Sequence, residues 1–113
     1  MERERIKDFV EATHDPNRIH VDEDFARAAG FPSVIASGGM TLAWAGQYLT
    51  RLVGVRNVRR LSVQLRAPVF PGDVLRFGGT IAERRGDELD CEFTATNQDG
   101  RVAAKCQSTI LVG

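Results

Sequence analysis

The chain has 113 residues, enough for one domain that buries roughly 65% of its unfolded surface without staples. Lys plus Arg number 15 and Asp plus Glu number 15, so there is no basic excess to drive counterion release, and no nucleic acid partner is expected. The charged start, MERERIKDF, and the lack of any window near the ~20 apolar residues of a membrane span argue for a cytoplasmic protein with no membrane partner.

Taken in chain order, Ile6, Phe9 and Val10 form one apolar stripe and predict a short helix over Glu2 to Ala12. A loop, THDPNRIHVDED, follows and holds both histidines, His14 and His20. Asp22 is the expected N-cap of a second short helix that ends on Gly30. After Pro32, Val34 and Ile35 are expected to be extended, and Ser37 to cap a third helix whose first turn holds Gly38 and Gly39. Between Ser37 and Thr50 there is no charged side chain. A helix apolar nearly all round is expected to be buried on most sides, at the centre of the fold.

The second half is strand signal. In RRLSVQLR, Leu61, Val63 and Leu65 alternate with Ser62, Gln64 and Arg66. PVFPGD breaks the chain, and Leu75, Phe77 and Ile81 then share one face of the next strand. Leu89, Cys91, Phe93 and Ala95 alternate along a third strand. Asp99-Gly100 turns the chain into a fourth, with Val102, Ala104 and Cys106 opposing Lys105 and Gln107. Cys91 and Cys106 therefore read as free, buried thiols, too few and too far apart for a zinc ribbon. The whole is α+β: one domain over residues 1–113, with one long apolar helix against one curved antiparallel sheet. Such a sheet has an open edge and leaves much of the helix half covered, which predicts a dimer as the minimal unit.

Two features carry chemistry. Histidine is the side-chain type suited to moving protons near neutral pH, and a compact turn containing proline can bring the carboxylate of Asp15 to His20; the alternative is a solvated turn. ASGGM puts bare backbone at the start of an apolar helix, where free N–H groups suit a developing oxyanion; the alternative is that the glycines permit tight packing. Together they suggest a base, an acid and an oxyanion pocket beside a carbonyl.

FVEATHDPNRIHVDEDFA resembles the hydratase motif of the MaoC-like, (R)-specific enoyl-CoA hydratase family. VIASGGMT resembles the segment that opens that family's buried helix, and RAPVFPGDVLRFGGTI its strand–Pro-x-x-Pro-Gly-Asp–strand passage. The three matches run in order along nearly the whole chain. The resemblance implies a single hot-dog fold, an antiparallel sheet wrapped around one central helix, with no metal or organic cofactor. It matches Asp15 and His20 to the catalytic pair and Gly38 to the glycine whose amide polarises the thioester carbonyl. Asn17, Ser37 and Gly39 are implied beside the substrate, with Asn17 supporting the loop. The implied reaction adds water to a trans-2-enoyl-CoA or carrier-protein thioester, giving an (R)-3-hydroxyacyl product, by a homodimer or half of a heteromer.

The sequence departs from the family at His14, where glycine is usual, and at Arg18, where proline is usual. Ser37 replaces a frequent histidine, and the usual leading strand is lacking, which leaves room for a heteromeric partner. Many thioesterases and acyl-carrier-protein dehydratases of this fold carry an acidic residue on the central helix; Ser37 to Thr50 has none. A non-catalytic acyl-CoA-binding subunit is the other alternative, but it would lack the Asp or the His. Arg56, Arg59, Arg60 and Arg66 read as a solvated strand face rather than a phosphate site, and Trp44 and Tyr48 as core or dimer contacts.

Overall fold

Charge on one side and Ile6 and Val10 on the other make the first segment a helix that must bury its stripe. The computed structural model describes residues 1–112 and has this helix, α1, over Arg3–Ala12, with Ile6 and Val10 buried. A 3-10 turn over Arg18–His20 leads to α2, Glu23–Ala28, whose start is capped by Asp22 accepting from the amide of Phe25 at 3.1 Å. Helix α3 spans Gly38–Val53. Four strands follow: β1 Val58–Leu65, β2 Arg76–Arg85, β3 Glu88–Thr96 and β4 Val102–Leu111. They pair antiparallel in the order β1-β4-β3-β2, so β1 and β2 are the sheet's edges.

The inward alternation of the strands meets one face of α3. Ala45 and Leu49 pack with Phe93 and Ala95 of β3 and with Ala104, Cys106 and Ile110 of β4. Tyr48 lies against the rings of Phe77 and Phe93, with centroids 5.2 Å away in both cases. Such aromatic pairs contribute about 0.5–1.5 kcal/mol each beyond their buried area. A second cluster joins Ile6 of α1 to Ala36, Met40, Val69 and Ala103, with Trp44 packed at its margin. Cys106 is buried and Cys91 half-buried, both free thiols as expected; burial pushes the Cys106 thiol up to about 11.

Exposure departs from the apolar pattern at three places. Helix α3 is buried on one face only, and even Leu42 and Leu52, near that face, are 47% and 63% exposed, because four strands do not cover it fully. Ile81 keeps the phase of Phe77, the register from Phe77 to Ile81 being unbroken, but is 63% exposed on the edge strand β2. Leu65 does not join Leu61 and Val63 in the core but is 54% exposed at the end of β1. None of the helices among the described residues is long and apolar enough to cross a membrane.

Candidate active site

The opening loop is built on the end of α1. The amide of His14 donates to the carbonyl of Glu11 and that of Asp15 to the carbonyl of Val10. This pair of bonds is the Schellman closure of a helix, which requires a left-handed residue at the position His14 occupies. His14 has φ +53°, alone among the described non-glycine residues in being positive. The turn thus delivers Asp15 away from the helix axis. Asp15 Oδ1 accepts from the Asn17 amide at 3.0 Å, and Asn17 Oδ1 accepts from the Ile19 amide at 3.0 Å, starting the 3-10 turn that carries His20.

His20 is 9% exposed, and both ring nitrogens have neighbours. Nδ1 lies 2.8 Å from the Ile35 carbonyl. A carbonyl only accepts, so Nδ1 carries the hydrogen and, in the neutral imidazole, Nε2 is left as an acceptor. Nε2 lies 3.4 Å from Asp15 Oδ2. Carboxylate and bare nitrogen are both acceptors, and this distance is long for a direct hydrogen bond between them. The pair therefore suits a donor with two hydrogens, and water is the smallest that fits.

The extended segment before α3 fixes the second half of the site. The amide of Ile35 donates to Ile19, and that of Ala36 donates to Val69 in the β1–β2 connection. Asp73 of the PGD turn is buried; it accepts from the Phe70 amide and the Gln98 side chain, which pins that connection in place. Between these segments lies a cavity of about 330 Å³, walled in part by His20, Phe31, Gly38, Thr41, Leu65 and Arg66. His20 and Gly38 thus face one space. Gly38 is the first residue of α3, where amide hydrogens have no carbonyl one turn back, and the helix dipole favours negative charge.

The other residues expected at the site lie apart from this cavity. Asn17 is exposed and acts through the loop backbone. Ser37 occupies the N-cap position of α3 and is buried, but its hydroxyl makes no cap hydrogen bond, which corrects the expectation of a side-chain cap. Gly39 is exposed on the side of α3 that faces the Phe9 ring. Thr41 and Leu65 were not singled out from sequence. Thr41 follows Gly38 by three residues on the same helical face, a spacing that could have marked it. Arg56, Arg59 and Arg60 are exposed, as expected; Arg66 is also exposed but stands at the cavity wall.

The model of the MaoC like domain matches residues 1–103. The chain belongs to the MaoC-like dehydratase family. Among curated proteins, the mouse peroxisomal multifunctional enzyme type 2 is 32% identical over 65 residues, 55% of this chain. The chain spans only 9% of the length of that enzyme. An (R)-hydratase from A. caviae involved in PHA biosynthesis superposes with a TM-score of 0.87 at 20% identity, covering 100% of this chain and 89% of that one. A chain of the ChsH1–ChsH2 complex from Mycobacterium tuberculosis gives 0.87 at 18% identity, covering 99% of this chain and 88% of its own. The MaoC-like chain therefore has the hot-dog fold implied by its sequence, with α3 as the central helix and no strand before it among the described residues.

Proposed function

We propose that this MaoC-like chain hydrates a trans-2-enoyl thioester to the (R)-3-hydroxyacyl thioester, or runs the reverse dehydration. The observation that carries the reading is the 3.4 Å separation of His20 Nε2 and Asp15 Oδ2, with His20 facing the cavity that also holds the start of α3. A water donating one hydrogen to each of these acceptors has its lone pairs free for attack on Cβ. As the C–O bond forms, one water proton passes to the pair, and Cα takes up a proton on the same face. Negative charge then develops on the thioester oxygen, where the Gly38 amide and the helix dipole stabilise it. The product is the enoyl thioester plus the elements of one water, so the step balances with no further reactant.

The Ile35 carbonyl has a defined part in this scheme. By holding the hydrogen on Nδ1 it keeps Nε2 in the basic tautomer while His20 is neutral. The acyl carrier is CoA or a carrier protein. The exposed Leu42 and Leu52 of α3, with the two unpaired sheet edges, support a pairing of two hot-dog chains, as a homodimer or with a different partner chain. A cytoplasmic location belongs to the same proposal.

The test is hydration of a panel of enoyl-CoA thioesters from crotonyl upward by the purified protein. Turnover that falls by about 10²–10⁴-fold in Asp15→Asn and in His20→Ala is the expected result for lost acid–base catalysis. Silence across the panel, or near-full turnover by His20→Ala, rejects the mechanism.

A further inference from the structure

Leu61 and Leu65 have the same phase on β1, and each meets a glycine of α3. A Cβ placed on Gly46 would lie 3.8 Å from Leu61 Cδ2, and one placed on Gly38 would lie 2.5 Å from Leu65 Cδ1. The spacing is no accident of one contact. Eight residues of helix rise about 12 Å, and four residues of strand about 13 Å, so β1 runs back along α3 in step with it. Leu61 is thereby absorbed into the core, whereas Leu65 reaches the first residue of the helix, where the core has ended. It is 54% exposed and forms part of the wall of the cavity shared by His20 and Gly38.

We infer that Leu65 is a specificity-determining residue, whose isobutyl group limits the bulk a substrate presents next to its thioester carbonyl. The inference rests on the enoyl-thioester reading of the site. An oxygen that reaches the Gly38 amide brings the carbonyl carbon and its α-substituent against the Leu65 methyl groups. A straight chain carries only hydrogen there. An α-methyl group competes with Leu65 for the notch that the missing Cβ of Gly38 leaves. The contact is with the far end of a flexible side chain, so Leu65 discriminates by graded crowding rather than by absolute exclusion.

Equilibrium binding separates this role from catalysis. Calorimetric Kd values for butanoyl-CoA and 2-methylbutanoyl-CoA are measured on wild type, Leu65→Ala and Leu65→Val, while crotonyl-CoA hydration is followed on the same preparations. Wild type binds the straight ligand more tightly, and Leu65→Ala narrows that gap by about tenfold, the low end of what one methyl group is worth in a close-fitting pocket. Leu65→Val falls between them, and its result decides alone if Leu65→Ala does not fold. A gap that is absent in wild type, unchanged in the variants, or unmeasurable because neither ligand binds overturns the inference. A narrowed gap with no hydration by wild type rejects the hydratase reading and leaves the role of Leu65 standing.

Discussion

Helices α1 and α2 end in the same way, and the residue at the turn differs. After α2, the amide of Gly30 donates to Arg27 and that of Phe31 to Ala26; after α1, His14 donates to Glu11 and Asp15 to Val10. Both ends are Schellman closures with a left-handed residue, Gly30 at φ +98° and His14 at φ +53°. Glycine adopts that conformation freely, whereas a residue with a Cβ is disfavoured there by about 1–2 kcal/mol. The end with glycine only turns the chain toward α3. The end with histidine positions Asp15 against His20. Strain of this kind collects where the surrounding structure over-determines a site, and here it lies beside the acceptor pair.

The largest way to break the comparison is to remove what the strained end delivers. Asp15→Asn is expected to cost about 10²–10⁴-fold in hydration rate with little change in melting temperature, whereas Gly30→Ala leaves the rate near wild type. Next comes His14→Val, a β-branched residue in a left-handed turn. It should lower stability by about 1–2 kcal/mol in a denaturant titration and reduce kcat by displacing Asp15. Exchanging the two residue types sharpens the contrast. His14→Gly is expected to gain about 1 kcal/mol and keep its activity, and Gly30→Ala to lose a similar amount, since a Cβ at Gly30 meets nothing within 4 Å and only the backbone conformation resists it. An His14→Gly variant that folds well but loses turnover would instead give the imidazole itself a part in the chemistry.

The smallest effect is on acidity. The Phe25 amide and then Arg18 hold the Asp22 carboxyl below its ordinary value, and the Arg3 guanidinium does the same for Glu23. A carboxylate with a lowered folded pKa contributes stability that is present above its unfolded pKa and lost as pH falls through the folded one. The start of α2 is therefore expected to loosen below about pH 4, and Asp22→Asn to flatten that part of the stability profile. Thermal melts from neutral pH downward read this directly. An unchanged profile in Asp22→Asn contradicts it.

Much of this was legible from local pattern. The alternation of β3 and β4, the Asp22 cap and the Gly30 ending follow from side-chain period and backbone freedom, which act over a few residues. Asp15 and His20 stood out as a candidate pair for the same reason. The tautomer of His20 was not legible, because it depends on the carbonyl of Ile35, fifteen positions away and brought near by tertiary packing. Nor was the left-handed turn at His14, since nothing local marks a histidine for it; the glycine usual there in the family was the only sign. The apolar α3 signalled burial but not what would supply it, and one chain leaves Leu42 and Leu52 open. Leu65 alternates as expected, but its place at the cavity wall was not legible, because strand period says nothing about where the facing helix begins.

A double-mutant cycle on Asp15→Asn and His20→Ala tests most directly whether these residues act together on one water. Rates of crotonyl-CoA hydration are measured for wild type, each single variant and the pair. Residues that serve one step as a unit are strongly non-additive, so the double variant should be no slower than the worse single variant by more than a few-fold. Losses that multiply, leaving the double variant about 10²–10⁴-fold slower than either single variant, would mean that Asp15 and His20 work independently and would contradict the shared water.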